Sequence, residues 1–340
     1  MLRQKMFVLL PSLFASAQIF AVSVYDPFSY PVGSDLAGQG GWVLTAGTTS
    51  PKVQAGSLAV PGLMPATDGN TLVFGNSQME VRRFMKNEAE VLFGTPGQEF
   101  NGQYWYSLAF KVTDLGSLDT NGDFIAAFSS TNQTTEYGGR LYLRKDPLGA
   151  ANGYNIGVSK DSSAAVDIAW SSTVYLVGQT NFVVCRYHTG DTAEDTLLWI
   201  NPDPSTYGAA IGSEPPPTLT ASSGLNLLAT VGQIVLHQAS ANPGLASIVV
   251  DEIRVEGQWP NVTPIPLTMS ITQTNGTDVY MSWGGHQNLF IQQATNLSPP
   301  VTWSNLNSFP NSGTINSYTA TNATSDPVPK FFRLVRWYAE

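Results

Sequence analysis

From about residue 50 onward the chain alternates apolar and polar positions with a period of two, the pattern of strands with one face buried. In 104–112 the even positions Tyr104, Tyr106, Leu108, Phe110 and Val112 are apolar. The odd positions Trp105, Ser107, Ala109 and Lys111 share the other face, which is expected to be wet. In 140–145, Leu141 and Leu143 point one way and Arg140, Tyr142 and Arg144 the other. Further strands are predicted over 124–128, 154–158, 181–188, 196–201, 232–237 and 248–255, separated by Gly, Pro, Asn and Asp clusters at sandwich-like intervals. No amphipathic helical pattern runs beyond two turns. The expected fold class is all-β.

Three prolines in 260–266 mark a stiff boundary, and the charge changes there. Residues 22–264 carry 11 Lys/Arg and 22 Asp/Glu, whereas residues 265–340 carry 3 of each. This predicts a large sandwich over 22–262, a Pro-rich linker over 263–266 and a small domain over 267–340. The tail's short strands at 267–272, 278–283, 289–294, 301–306, 317–320 and 331–336 suit an Ig-like or fibronectin-III-like sandwich. At the other end, Arg3 and Lys5 precede the apolar Met6–Leu10, and small residues follow at Ala15, Ala17 and Ala21. That order predicts a secretory signal peptide over 1–21, cleaved after Ala17 or Ala21. The apolar run is too short to span a membrane, so the expected location is secreted or at the cell surface.

Composition narrows the function. Charged residues are 12% of the 340, against about 25% in an ordinary domain, so Ser, Thr, Asn, Gln and Gly must wet the surface. The net charge of −9, without a basic run longer than a pair such as Arg82-Arg83, excludes nucleic acid as the expected partner. The single cysteine, Cys185, excludes an intrachain disulfide framework, and its apolar strand reads as a buried thiol.

Catalytic signatures are sparse. The acidic pairs Glu88/Glu90, Glu194/Asp195 and Asp251/Glu252 lack a third carboxylate at glucanase spacing. His188, His237 and His286 do not pair at metal-ligand spacing, and no nucleophile elbow, His-Glu-x-x-His or P-loop occurs. The loop 114–123 places Asp119, Asn121 and Asp123 at alternate positions, as calcium loops do, and these three are the candidate Ca2+ ligands. An Asx-rich hairpin turn explains the same residues. Asn-x-Ser/Thr sequons at Asn132, Asn261, Asn275, Asn296 and Asn322 reflect an Asn/Thr-rich surface.

Two stretches carry a resemblance. Tyr25-Asp26-Pro27-Phe28 with Gly38-Gln39-Gly40-Gly41-Trp42, and the closing Ile248-Val249-Val250-Asp251-Glu252-Ile253-Arg254-Val255, resemble secreted bacterial proteins of the concanavalin A-like lectin/glucanase superfamily, the LamG-like jelly rolls. The tail, through Val279–Trp283, Leu289–Leu297, Trp303 and Phe331-Phe332-Arg333-Leu334, resembles a small C-terminal β-domain of bacterial exported proteins. The resemblance implies a jelly roll over roughly 24–262. It leaves function open, because that sandwich hosts lectins, hydrolases, lyases and adhesion modules.

The expected function is a non-catalytic carbohydrate-binding or adhesive protein whose partner is a polysaccharide or glycoconjugate. A divergent polysaccharide lyase or glycoside hydrolase, with His237, Tyr142 and Arg144 as first suspects, is one alternative. A structural envelope component is another. The expected ligand face gathers the outward residues Trp105, Arg140, Tyr142, Arg144, Arg186, His188, Glu252 and Arg254, provided their strands adjoin. With Val249, Ile253 and Val255 inward, alternation puts Asp251 inward as a structural carboxylate and Glu252 outward as the functional one.

Overall fold

The computed structural model describes residues 24–63, 69–74, 78–85, 102–130, 135–189, 195–224, 228, 231–238, 246–265, 269–274, 278–283, 289–298, 301–306, 317–320 and 330–336. The expected signal peptide, Glu88/Glu90, Glu194, His286 and the sequons at Asn132, Asn275 and Asn322 lie outside the described residues.

The large sandwich is built from β1 (Val24–Asp26), β2 (Trp42–Gly47), β3 (Lys52–Ala55), β4 (Asn70–Phe74), β5 (Met79–Phe84), β6 (Gln103–Asp114), β7 (Asp123–Ser129), β8 (Gly138–Lys145), β9 (Gly153–Ser159), β10 (Ala169–Trp170), β11 (Tyr175–Leu176), β12 (Thr180–His188), β13 (Thr196–Ile200), β14 (Leu219–Ala221), β15 (Gln233–Gln238) and β16 (Ser247–Glu256). They form two eight-stranded antiparallel sheets. The first runs β14-β13-β12-β6-β16-β4-β3 with β1 beside β16. The second runs β10-β9-β8-β7-β15-β5-β2 with β11 beside β9. Neighbours are distant in sequence because the chain crosses repeatedly between sheets, as in a jelly roll. The all-β expectation holds.

Between the sheets lie the residues that alternation sends inward: Tyr106, Leu108 and Phe110, Leu141 and Leu143, Val183, Cys185 and Tyr187. The Tyr106 hydroxyl donates to the Gly139 carbonyl at 2.8 Å, so this fully buried phenol is satisfied. Burial pushes the Cys185 thiol up to about 12, which fits a structural thiol rather than a nucleophile.

The outer face of the first sheet departs from expectation. Trp105 and Ala109 are not wet. With Phe182, Val184, Trp199 and Val249 they form a second core, closed by Leu58, Leu63, Tyr207, Trp259 and Val262. Trp105 stacks on Trp199 at 5.2 Å between centroids, and Trp259 sits edge-on to both. Trp259 begins a single helical turn, α1 (Trp259–Val262). Its indole donates to the Thr206 carbonyl at 2.9 Å, and Ser107 donates to the Val262 carbonyl at 2.7 Å. The Pro260 region, read as the start of a stiff linker, is therefore docked on the sheet through Val262.

The closing strand also departs from simple alternation. Against β6, the register of β16 shifts between Asp251 and Arg254, and Glu252 takes a left-handed φ of 56°. Ile248 and Val250 point inward before this bulge, and Ile253 and Val255 after it. Parity carried straight through Val249 misses the extra residue. Asp251 is structural, as expected, but on the outer face with Val249. It accepts hydrogen bonds from the Ser57 hydroxyl (2.7 Å), the Leu58 amide (2.7 Å) and the Glu252 amide (2.8 Å). Glu252 is buried rather than outward, ion-paired with Arg254, whose guanidinium lies 4.6 Å from the Tyr25 ring centre.

The tail forms β17 (Met269–Thr274), β18 (Asp278–Trp283), β19 (Leu289–Ala294), β20 (Ser304–Asn305), β21 (Ser317–Ala320) and β22 (Phe331–Arg336). Two three-stranded sheets, β17-β18-β21 and β20-β19-β22, share a core of Met281, Trp283 and Ile291.

Removing one partner of a buried ion pair strands the other charge. Glu252→Ala is therefore expected to cost about 3–5 kcal/mol. Asp251→Ala is expected to cost about 1–3 kcal/mol. Urea denaturation at neutral pH orders the two. Burial, with the charge of Glu252, pushes the Asp251 carboxyl up to about 6 against its hydrogen bonds. Over roughly pH 4 to 6 the folded state then holds a proton that the unfolded chain has released, so stability falls as pH rises through that window. Denaturation midpoints across the window are expected to lose this slope in Asp251→Asn.

Candidate functional site

The residues expected on one ligand face fall on two sheets. Trp105, Arg186, His188, Glu252 and Arg254 belong to β6, β12 and β16 of the first. Trp105 lies under α1, Glu252 and Arg254 hold each other, and Arg186 reaches both oxygens of Asp195 at 2.8 Å. Arg140, Tyr142 and Arg144 belong to β8 in the second sheet, across the core. The two groups therefore do not share a surface, and the polar-aromatic face is built around the β8 group alone.

Four further strands complete that face. On β5, Met79 and Val81 point into the core, so Glu80 and Arg82 point out. On β15, Ile234 and Leu236 point in, so Gln233 and His237 point out. Glu80 and His237 are direct cross-strand partners. Phe124 comes from β7 and Trp170 from β10, while Tyr137 precedes β8. The sequence pattern points to His237 but not to Glu80, Arg82, Phe124, Tyr137 and Trp170 as site residues. The signal was present for two of them, because Met79-Glu80-Val81-Arg82 alternates with period two.

Glu80 is the centre of one half. One carboxylate oxygen accepts from the Thr45 hydroxyl and from Arg82 Nε, each at 2.7 Å. The other accepts from the Tyr137 hydroxyl and faces His237 Nδ1 at 3.2 Å. Burial works to raise the Glu80 pKa, but these four hydrogen bonds overcome it and hold the carboxyl down to about 2. Burial, with the bond to and charge of Glu80, pushes Tyr137 up to about 12. Arg82 also reaches Ser129 Oγ and Gln233 Oε1, each at 3.3 Å.

The other half is aromatic. His237 stacks on Phe124, centroids 4.0 Å apart and planes 3° apart. Phe124 meets Tyr142 at 5.9 Å, and Tyr142 meets Trp170 edge-on at 6.1 Å. Arg140 lies over Phe124 and Tyr137 at 5.4 and 5.3 Å, and Arg144 lies over Trp170 at 4.3 Å. Trp170 rests on Gly157, where a Cβ would stand 2.5 Å from the indole. Phe124 and Tyr142 are buried; Tyr137, His237, Arg144 and Trp170 are partly exposed and form the rim.

The candidate calcium loop is occupied with its own turn. Asp119 accepts from the amides of Asn121 and Gly122 at 2.9 and 3.0 Å and from the Asn121 side chain at 3.1 Å, and Asp123 accepts from the Phe124 amide at 2.9 Å. Among the described residues no group of three or more His, Cys, Asp or Glu side chains is placed to hold a metal ion. Nor is any described helix long and apolar enough to cross a membrane.

Neither a protein-family model nor a curated protein sequence matches the chain. Solved structures do show likeness. An endo-β-1,4-glucuronan lyase from the fungus Trichoderma reesei aligns over 71% of this chain and 98% of its own, with 10% identity and a TM-score of 0.38. The CBM2 module of the evolved Dit of Lactobacillus casei BL23 phage J-1 aligns over 71% and 97%, with 9% identity and a TM-score of 0.37. Lectin II from Ulex europaeus aligns over 68% and 97%, with 14% identity and a TM-score of 0.37. At such values it is the strand order itself that defines the sandwich.

The depressed Glu80 carboxyl fixes one pH response. Its folded value lies below the ordinary carboxylate value of about 4.3, so its contribution to stability is complete above that value and is lost as pH falls toward about 2. Glu80→Gln is expected to flatten this acid limb in denaturation midpoints measured between about pH 5 and 2.

Proposed function

We propose that the protein is a secreted carbohydrate-binding or adhesive protein of the cell surface, holding a polysaccharide or glycoconjugate on the outer face of its second sheet. One observation carries this reading: the run His237, Phe124, Tyr142 and Trp170 is flanked by the guanidinium groups of Arg82, Arg140 and Arg144 on a single face. Sugars present apolar ring faces and fixed hydroxyls, which such a surface meets by stacking and by oriented hydrogen bonds. Within the proposal, residues 1–21 are the signal peptide, 22–262 a concanavalin A-like jelly roll, 263–266 the linker and 267–340 an Ig-like scaffold. A glycan array probed with the mature chain tests it. Binding to at least one polysaccharide is expected, and Trp170→Ala is expected to weaken it about tenfold through loss of one aromatic contact surface. A silent array would favour a structural envelope component.

A catalytic reading has one specific observation behind it. Glu80 is held ionised and faces His237 Nδ1 at 3.2 Å, which leaves Nε2 turned away from the carboxylate. Nε2 makes no hydrogen bond among the described residues. In a lyase or hydrolase, His237 would take or deliver a proton there, and Arg144 would offset charge developing on the sugar. Release of unsaturated or reducing ends from a bound polysaccharide, lost in His237→Ala, would establish it. Binding without product release leaves the non-catalytic reading.

A further inference from the structure

We infer that this face selects anionic sugars, and that Arg144, laid on Trp170, receives their carboxylate or sulfate group; the inference rests on the carbohydrate reading of the same face. Six described arginines belong to the large sandwich. Four hold a carboxylate: Arg82 with Glu80, Arg83 with Asp26, Arg186 with Asp195, and Arg254 with Glu252. Arg140 and Arg144 pair with no carboxylate among the described residues, although the chain has 25 Asp/Glu for 16 Lys/Arg. Both project from β8, four residues apart with Tyr142 between them, onto the face already described.

Their remaining hydrogen bonds separate their roles. Arg140 donates through Nη2 to the Asp161 carbonyl at 2.8 Å and through Nε to the Tyr137 carbonyl at 3.2 Å. It is buried and mostly committed to holding two loops. Arg144 donates through Nε to Asn155 Oδ1 at 3.3 Å, and its terminal nitrogens make no hydrogen bond among the described residues. Asn155 is itself fixed by donating to the Thr173 carbonyl at 3.1 Å. Trp170 supports the guanidinium plane from one side.

The acids near this end are engaged elsewhere. Asp146 acts on Arg144 through space, but its oxygens close a turn by accepting from the amides of Leu148 and Ala150 at 3.2 and 2.9 Å. A planar fork, pre-oriented from behind and open at its tips, matches the two oxygens of a carboxylate or sulfate, whereas a neutral hydroxyl uses only one donor. The partly exposed rim rings beside it, Trp170, Tyr137 and His237, supply the apolar contact for the sugar ring that carries the anion.

The test is calorimetric titration of the mature chain with polygalacturonate, with the same polymer after its carboxylates are reduced to alcohols, and with a sulfated galactan. At least one anionic polymer is expected to bind about tenfold or more tightly than the reduced one, an advantage that salt diminishes. The two anionic arms show whether carboxylate or sulfate is the recognised group. Arg144→Gln removes the charge and the guanidinium fork while keeping a polar, unbranched side chain, and is expected to erase the preference while binding to the neutral polymer persists. Gly157→Ala, which displaces the indole, is expected to reduce it independently. Equal affinity for charged and reduced polymers overturns the inference and leaves the carbohydrate reading standing, as does a preference that survives in Arg144→Gln. Failure to bind any of the three, together with a silent array, overturns both.

Discussion

Strand β6 is buried on both faces, and the arrangement of the large sandwich follows from that. Its even residues, Tyr104 to Val112, fill the space between the sheets. Its odd residues include Trp105, Ser107 and Ala109, which leave no charged side chain to wet the opposite face until Lys111. An indole at the centre of a solvated sheet would expose a large apolar area, with burial worth about 25 cal/mol per Å². The chain covers it instead, with 58–63 on one side, Tyr207 on another and α1 across the middle. The covering segments bring their own polar groups, and these are met in place: Ser107 by the Val262 carbonyl, Trp259 by the Thr206 carbonyl and Asp251 by Ser57 and Leu58. With that outer face closed, the polar-aromatic cluster among the described residues of the large sandwich falls on the outer face of the second sheet.

Two buried carboxylate clusters reconcile this covering with the strand ends. At the bulge in β16, one extra residue lets Ile253 and Val255 face the main core while Asp251 still reaches Leu58. The left-handed backbone of Glu252 costs on the order of 1–2 kcal/mol. It is offset by the pair with Arg254 and the amide bond to Asp251. At the start of the chain, Asp26 accepts from the Phe28 amide, the Tyr30 hydroxyl, the Trp42 indole and Arg83 at 2.7–2.8 Å. The short β1 is thereby tied to β2 and β5, which belong to the other sheet. The two stretches that carry the sequence resemblance are thus both places where a buried acid joins distant segments.

Alternation made the fold class and the inward residues of β6, β8 and β12 legible, because a strand flanked by neighbours on both sides repeats with strict period two. It failed where that assumption failed. A bulge adds one residue and inverts parity, so alternation alone exposes Glu252, which is buried. Polar and apolar letters do not reveal a second covering layer, so alternation offers Trp105 as a ligand platform although it is core. Sheet order is not written in local pattern at all. Arg140 and Arg186 look alike in sequence, each outward on an alternating strand, yet they lie on opposite sides of the sandwich. The site's central carboxylate, Glu80, sits on a strand whose alternation is as clear as that of β8. Its partners Tyr137, His237 and Thr45 come from distant parts of the chain, and only the strand order brings them together.

The face itself divides into a satisfied half and an open half. Around Glu80 every strong acceptor has a donor, and a network of that kind in a buried setting rigidifies the strands that carry it. Such a network resists change and offers a ligand little, because any new hydrogen bond must replace one already made. At the rim the balance is reversed. His237 Nε2 and the tips of Arg144 retain bonding capacity, and each belongs to a group whose other atoms are fixed by Glu80, Phe124, Asn155 or Trp170. Groups held on one side and open on the other bind without losing much further freedom, which is the condition for converting contacts into affinity. The buried ion pair beneath is then the support that lets a few rim atoms act as a site.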